Sequence, residues 1–161
     1  MVLFDNTKLT TILDDVGCFT DDPPFSVSGY RPRRLPKSPN DVLTGMFITN
    51  SKNRVERAVT WNNVNEGLFE TNKKVVVMTH GWTDEYDDRS FLTKARDNFL
   101  NHQSVNFISV DWSKGSQNLD YFQSAADTQT VGRMIAKVRR KKPGLFFYIL
   151  GPLALLAYRG Q

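Results

Sequence analysis

Cysteine is almost missing from this chain of 161 residues. Cys18 stands alone, so no internal disulfide closes, and taken by itself that points to a reducing compartment or a leftover thiol. Long apolar runs are missing too. Spanning a bilayer takes roughly 20 apolar residues. The nearest stretch, "PGLFFYILGPLALLAY", is broken by Gly151-Pro152. The opening "MVLFDNTKLTTIL" lacks a basic n-region, and Asp5, Asn6 and Lys8 interrupt its apolar residues, so no secretory signal is visible. There is no internal repeat and no low-complexity tract. No nucleic-acid motif accompanies the basic residues, so no nucleic-acid partner is expected. Neither a cofactor nor a metal is expected.

What is there reads as an ordinary globular domain, or part of one: 40% hydrophobic and 24% charged residues. The net charge of +4 is mild, and the basic excess is local. Arg31, Arg33, Arg34 and Lys37 form one group, and Lys137, Arg139, Arg140, Lys141 and Lys142 another. Either group suits an anionic lipid, a phosphate or a polyanion; the alternative is solvated loop and helix-end charge.

Residues 1–40 hold five of the seven prolines, and this turn-rich stretch predicts an irregular N-terminal arm. The remainder alternates. "DVLTGMFITN" (41–50) and, more weakly, "RVERAVTWNNV" (54–64) predict strands. "KKVVVMT" (73–79) predicts a strand covered on both faces. Phe91, Leu92, Ala95, Phe99 and Leu100 recur at helical spacing over 87–102, with Asp87 or Asp88 placed to cap the start. A strand over 104–112, a helix over 121–142 with Ala125, Val131, Ile135 and Val138 facing the core, and a strand over 144–151 complete the order. Strand, helix, strand, helix, strand predicts an α/β fold with a mostly parallel sheet and flanking helices.

In such sheets chemistry gathers at the carboxyl ends of the strands. The ends to inspect are His80-Gly81-Trp82, Asp111-Trp112 and the residues after Gly151. The first suits an oxyanion hole, because a glycine lets the chain turn sharply and aim the next main-chain N–H at a developing negative oxygen. The other reading is a strand-to-loop turn around a buried histidine bonded to backbone. Asp84, Glu85, Asp87 and Asp88 are assigned loop solvation and capping, not catalysis.

The segments "VGCFTDDPPFS" (16–26), "RPRRLPKSP" (31–39), "VVVMTHGWTDEYDD" and "VNFISVDWSKGSQNLDYFQSAADTQTVGRMIA" (105–136) together resemble the N-terminal half of the pancreatic-type lipases. That family includes triacylglycerol lipases, lipoprotein-type lipases and secreted phospholipases A1 of the α/β-hydrolase fold. The resemblance implies serine attack on an ester carbonyl of a glycerolipid, with triacylglycerol or phospholipid as substrate, in an extracellular setting. It implies that Trp82 donates its backbone N–H to the oxyanion, with His80 and Gly81 shaping the turn. Two departures stand out. The family usually pairs the cysteine matching Cys18 with one six residues earlier, where this chain has Ile12, and it commonly carries asparagine where this chain has Asp127.

The family's Gly-His-Ser-Leu-Gly elbow should follow "FFYILG"; here Pro152 and Leu153 stand where histidine and serine belong. Leucine has no nucleophilic atom and proline no N–H. The acid and histidine of the triad are absent as well. Dropping one base between the codons for Gly151 and Pro152 allows the tail to read Gly-His-Ser-Leu-x-Ser-His-(Thr/Ile)-(Ala/Gly)-Gly, where x cannot be glycine. The expectation is therefore an arm over 1–40, the front of a truncated α/β-hydrolase domain over 41–151, and a frameshifted tail over 152–161. The other reading of the tail is alternative splicing. The expected chain is an inactive member of a lipase family, with a non-catalytic product that associates with lipid or polyanion as the alternative.

Overall fold

The computed structural model describes residues 2–5, 8–13, 16–22 and 33–150. The elbow positions Gly151, Pro152 and Leu153, the tail over 152–161 and the basic residue Arg31 lie outside them.

The apolar run Val75–Met78 builds the centre. Strand β6 (Lys74–Thr79) is buried from Val75 onward, and β7 (Val105–Asp111) is buried throughout. They pair in parallel, Val77 opposite Ile108. β8 (Phe147–Leu150) pairs in parallel on the other side of β6, Val77 opposite Ile149. β4 (Gly45–Asn50) flanks β7 antiparallel, Ile48 opposite Ile108, and carries β5 (Arg57–Ala58) at its outer edge. The sheet order is β5-β4-β7-β6-β8. It is an α/β fold with a mixed sheet: the expected parallel pairing holds for β6, β7 and β8, and an antiparallel pair extends it.

Side chains alternate between the two faces of a strand, and both faces here are covered. Ile48, Val75, Val77, Ile108 and Val110 pack with Val131, Ile135 and Val138 of helix α4 (Tyr121–Lys141). Val76, Met78, Val105 and Phe107 pack on the opposite side with Leu92 and Leu100 of α2 (Phe91–His102). One helix on each face is what two crossovers between parallel strands produce.

Several boundaries differ from expectation for local reasons. α2 is capped by Ser90, whose Oγ accepts from the Thr93 N–H at 3.2 Å. Asp87 instead accepts from the Arg89 N–H, and Asp88 caps nothing. Only two residues of 54–64 form strand, because Thr60 and Asn63 cap one another: the Thr60 N–H donates to Asn63 Oδ1 and the Asn63 N–H to Thr60 Oγ1. The strand expected from residue 41 starts at Gly45, since Pro39–Val42 close a helical turn, α1.

The N-terminal arm is not irregular throughout. β1 (Val2–Asp5), β2 (Lys8–Leu13) and β3 (Gly17–Thr20) form a three-stranded antiparallel sheet. The prolines that suggested irregularity begin only at residue 23, past these strands. The run "KLTTIL" carries β-branched residues suited to a strand, and Gly17 supplies the φ of +90° that starts β3. Arg133 of α4 ties this sheet down: its guanidinium covers the Phe19 ring at 4.8 Å and donates to the carbonyls of Val16 and Cys18.

Candidate functional site

β6 ends in His80-Gly81-Trp82-Thr83, and the chain that follows β7 holds this turn. The Trp112 N–H donates to His80 Nε2 at 3.0 Å, and the Trp112 indole N–H donates to the His80 carbonyl at 2.8 Å. The two rings stack with centroids 5.8 Å apart. His80 Nδ1 lies 3.0 Å from the Gly81 carbonyl. Both ring nitrogens have partners, Nε2 the Trp112 N–H and Nδ1 the Gly81 carbonyl. His80 is thus a buried histidine bonded largely to backbone, which was the plainer of the two readings for that side chain.

Asp111 Oδ1 sits 3.3 Å from His80 Nε2 and accepts from the Ser113 N–H at 3.0 Å and the Ser113 hydroxyl at 2.5 Å. Burial pushes the Asp111 carboxyl up; contact with His80 and the two hydrogens from Ser113 pull it down by more, and it settles below its ordinary value.

The amides of the turn are used unequally. Gly81 N–H donates to Asp84 Oδ2 at 3.0 Å. Thr83 N–H donates at 3.1 Å to the carbonyl of Ser116, in the short helix α3 (Ser113–Ser116). The Trp82 N–H between them has no acceptor among the described residues. Thr83 holds φ at +60°, a left-handed conformation uncommon for a β-branched residue. The Trp82 side chain is fixed as well: its indole N–H donates to the Asn118 carbonyl at 3.0 Å, and its ring meets Tyr121 edge-on at 5.0 Å. Asp84, read from sequence as loop solvation and capping, caps the Gly81 amide. Glu85 accepts from Gln117.

Beside the turn lies an open cavity of about 260 Å³ whose lining includes His80, Asp84, Asp87, Ser90 and Leu92. β8 ends next to it. Met78 lies opposite Leu150, so the strand after α4 stops level with the last residues of β6, one strand spacing (~4.8 Å) away. Among the described residues no three His, Cys, Asp or Glu side chains converge as a metal site requires.

A family model described as Lipase matches residues 10–141. The chain belongs to the lipase family. It is 34% identical over 125 residues to pancreatic triacylglycerol lipase of Homo sapiens, covering 75% of this chain and 26% of that protein. The mouse (Mus musculus) pancreatic triacylglycerol lipase is 33% identical over 127 residues, 76% of this chain and 27% of that one. Inactive pancreatic lipase-related protein 1 of Canis lupus familiaris is 30% identical over 130 residues, 78% of this chain and 27% of that protein. The chain spans about a quarter of the length of the curated relatives it matches.

The structure brings His80, Gly81, Trp82, Asp111 and Trp112 of this lipase-family chain together. The sequence marked both strand ends, but the anchors at Ser116, Asn118 and Tyr121 escaped it. Two of these contacts run through main-chain carbonyls, which carry no side-chain signature.

Proposed function

We propose that this chain is the front of an α/β-hydrolase domain whose whole protein cleaves the acyl ester of a glycerolipid by serine attack, with the Trp82 N–H among the oxyanion donors. The observation that carries this reading is the unpartnered Trp82 amide. It sits in a turn whose neighbouring amides are both bonded, at the point where β6 and β8 end side by side. Residues 41–151 are the domain's front, 1–40 its N-terminal arm and 152–161 a tail out of frame with the family. An extracellular location accompanies this reading, with lipid, as triacylglycerol or phospholipid, the substrate class. With leucine at position 153, the 161-residue chain by itself turns over no ester. The test is a chimera in which residues 1–150 are joined to the remainder of human pancreatic triacylglycerol lipase from its nucleophile motif onward. It should hydrolyse tributyrin or phosphatidylcholine. Trp82→Pro, which removes the N–H, should lower kcat about 10²–10³-fold, and Trp82→Phe, which keeps it, should not. A folded Trp82→Pro chimera as active as Trp82→Phe rules the role out.

A second contact is proposed at the opposite end of the sheet. Of the first basic group, Arg33 pairs with Asp21 and Arg34 with Asp120, so those charges are spent within the fold. At the other pole, Lys73, Lys74, Arg139, Arg140, Lys141 and Lys142 make no ion pair among the described residues. Lys137 and Lys141 lie over the exposed Trp61 ring at 4.6 and 4.4 Å. Cations beside an interfacial aromatic suit an anionic lipid surface or another polyanion. Co-sedimentation with phosphatidylserine vesicles, lost in Lys141→Glu/Lys142→Glu and in high salt, checks this. Equal binding to neutral phosphatidylcholine vesicles would count against it.

A further inference from the structure

Three residues on one stripe of α4, spaced i, i+4 and i+7, hold the segment that precedes α1. Gln123 Nε2 donates to the Leu35 carbonyl at 3.0 Å. Asp127 Oδ1 accepts from the Lys37 N–H at 2.8 Å and from Gln123 Nε2 at 2.9 Å. Thr130 Oγ1 donates to the Lys37 carbonyl at 2.8 Å. Asp127 is completely buried, and its other oxygen, Oδ2, is buried with no hydrogen-bond partner.

We propose that Asp127 is a proton-dependent clasp: with its carboxyl protonated it seats the Leu35–Lys37 segment on α4, and its ionisation loosens that segment. A buried carboxylate needs donors on both oxygens or a cation in contact, and Oδ2 has neither. The neutral acid avoids burying a charge, at the smaller cost of one unpaired hydroxyl, and Oδ1 still accepts from both its donors. The charged groups on the elements packed against Asp127 are Lys37, Arg34 and Arg33 (the last paired with Asp21) on the preceding segment, Asp41 on α1 and Lys114 on α3. Arg34 is taken by Asp120, and Lys114 Nζ donates to the Asn40 carbonyl. Burial, helped by the Asp41 charge, pushes the carboxyl up; the hydrogen bonds from the Lys37 N–H and Gln123 and the charge of Lys37 pull it down by less, so it stays above its ordinary value.

The sign follows from linkage. A carboxyl whose folded pKa lies above its unfolded one stabilises most below the unfolded value, and the stabilisation is lost as pH rises through the folded value. Ionisation inside the closed site is costly, so the carboxylate gains water by lifting the segment. That segment also carries Arg34, whose partner Asp120 caps α4 one residue before Tyr121, the ring against Trp82. The clasp therefore links pH to the order of the turn, whatever reaction the fold supports.

The test is hydrogen exchange at the Lys37 amide in the 161-residue chain, corrected for the intrinsic pH dependence of exchange, together with the ¹³Cγ chemical shift of Asp127. In the wild-type chain the Asp127 carbon should titrate above the range of an ordinary carboxyl, and Lys37 protection should fall at least tenfold as it does. In Asp127→Asn, whose carboxamide oxygen accepts the same two hydrogens, protection should not change with pH. A carbon that titrates within or below the ordinary carboxylate range overturns the proposal. So does Lys37 protection that stays constant through the titration. The carbon measurement needs only the wild-type chain and decides the matter even where the variant fails to fold.

Discussion

Trp112 is bonded to His80 at both ends of its residue, the main-chain N–H to Nε2 at 3.0 Å and the indole N–H to the carbonyl at 2.8 Å. These two contacts join the carboxyl ends of β7 and β6 across their last residues. They fix the histidine ring and the backbone from which the turn departs. A buried carbonyl that loses its donor incurs its full desolvation cost.

Trp112→Phe should therefore destabilise the fold by about 1–3 kcal/mol, beyond any cost of the smaller ring. Trp112 is 2% exposed, so no water replaces the lost indole. Urea denaturation measures this. The same variant should raise hydrogen exchange at the Gly81 and Thr83 amides, since the turn loses its anchor; unchanged exchange there would separate the anchor from the turn.

Asp111 gives a pH prediction of the opposite sign to Asp127. Its folded carboxyl lies below its ordinary value, because the contacts with His80 and Ser113 outweigh burial. The stability it contributes is present above the unfolded carboxylate value, about 3.9, and is lost as pH falls through the folded one. Wild type should exceed Asp111→Asn in stability near neutrality, and the gap should close on acidification. Urea melts across the acidic range check this; a gap that widens as pH falls contradicts it.

The central strands and helices were legible because their signals are local. Three valines and a methionine make β6, and apolar residues at helical spacing make α2 and α4. The antiparallel edge was less so. Nothing within 45–50 says that β4 runs against β7, because pairing direction is set by the connections and by the β7 partner more than fifty residues away. The anchors of the turn fall in the same class: the Ser116 carbonyl for Thr83, the Asn118 carbonyl for Trp82. Conversely, the turn itself was readable, since glycine after a buried strand and histidine has few uses.

Gly115 shows how closely α3 is pressed against its neighbours. A Cβ there would come 2.9 Å from Val42 Cγ1 and 3.3 Å from Trp112 Cε3, with the Val42 backbone 3.5 Å away. Val42 is fully buried and has no space to retreat into. Gly115→Ala should cost about 1–3 kcal/mol by overpacking. That corresponds to a fall of several degrees in Tm for a domain of this size. An unchanged melting temperature would mean that α1 shifts freely away from α3.

Ile12 and Cys18 face each other directly across β2 and β3. Directly opposed residues in an antiparallel pair share a face and hold their Cα atoms roughly 4.5–5.5 Å apart, inside the range a disulfide spans. Both positions are exposed, Ile12 at 42%. The lipase resemblance implied a cysteine at position 12, and the strand register supplies the geometry for one. Ile12→Cys should oxidise spontaneously to a 12–18 disulfide, detected as loss of two titratable thiols. The closed loop is short, so the chain-entropy gain is about 2 kcal/mol, read as a higher melting temperature without reductant than with it. The register leaves little freedom in this outcome. If the two thiols remain titratable under air oxidation, β2 and β3 are paired differently in solution, and the attachment of the N-terminal sheet to α4 through Arg133 would have to be redrawn.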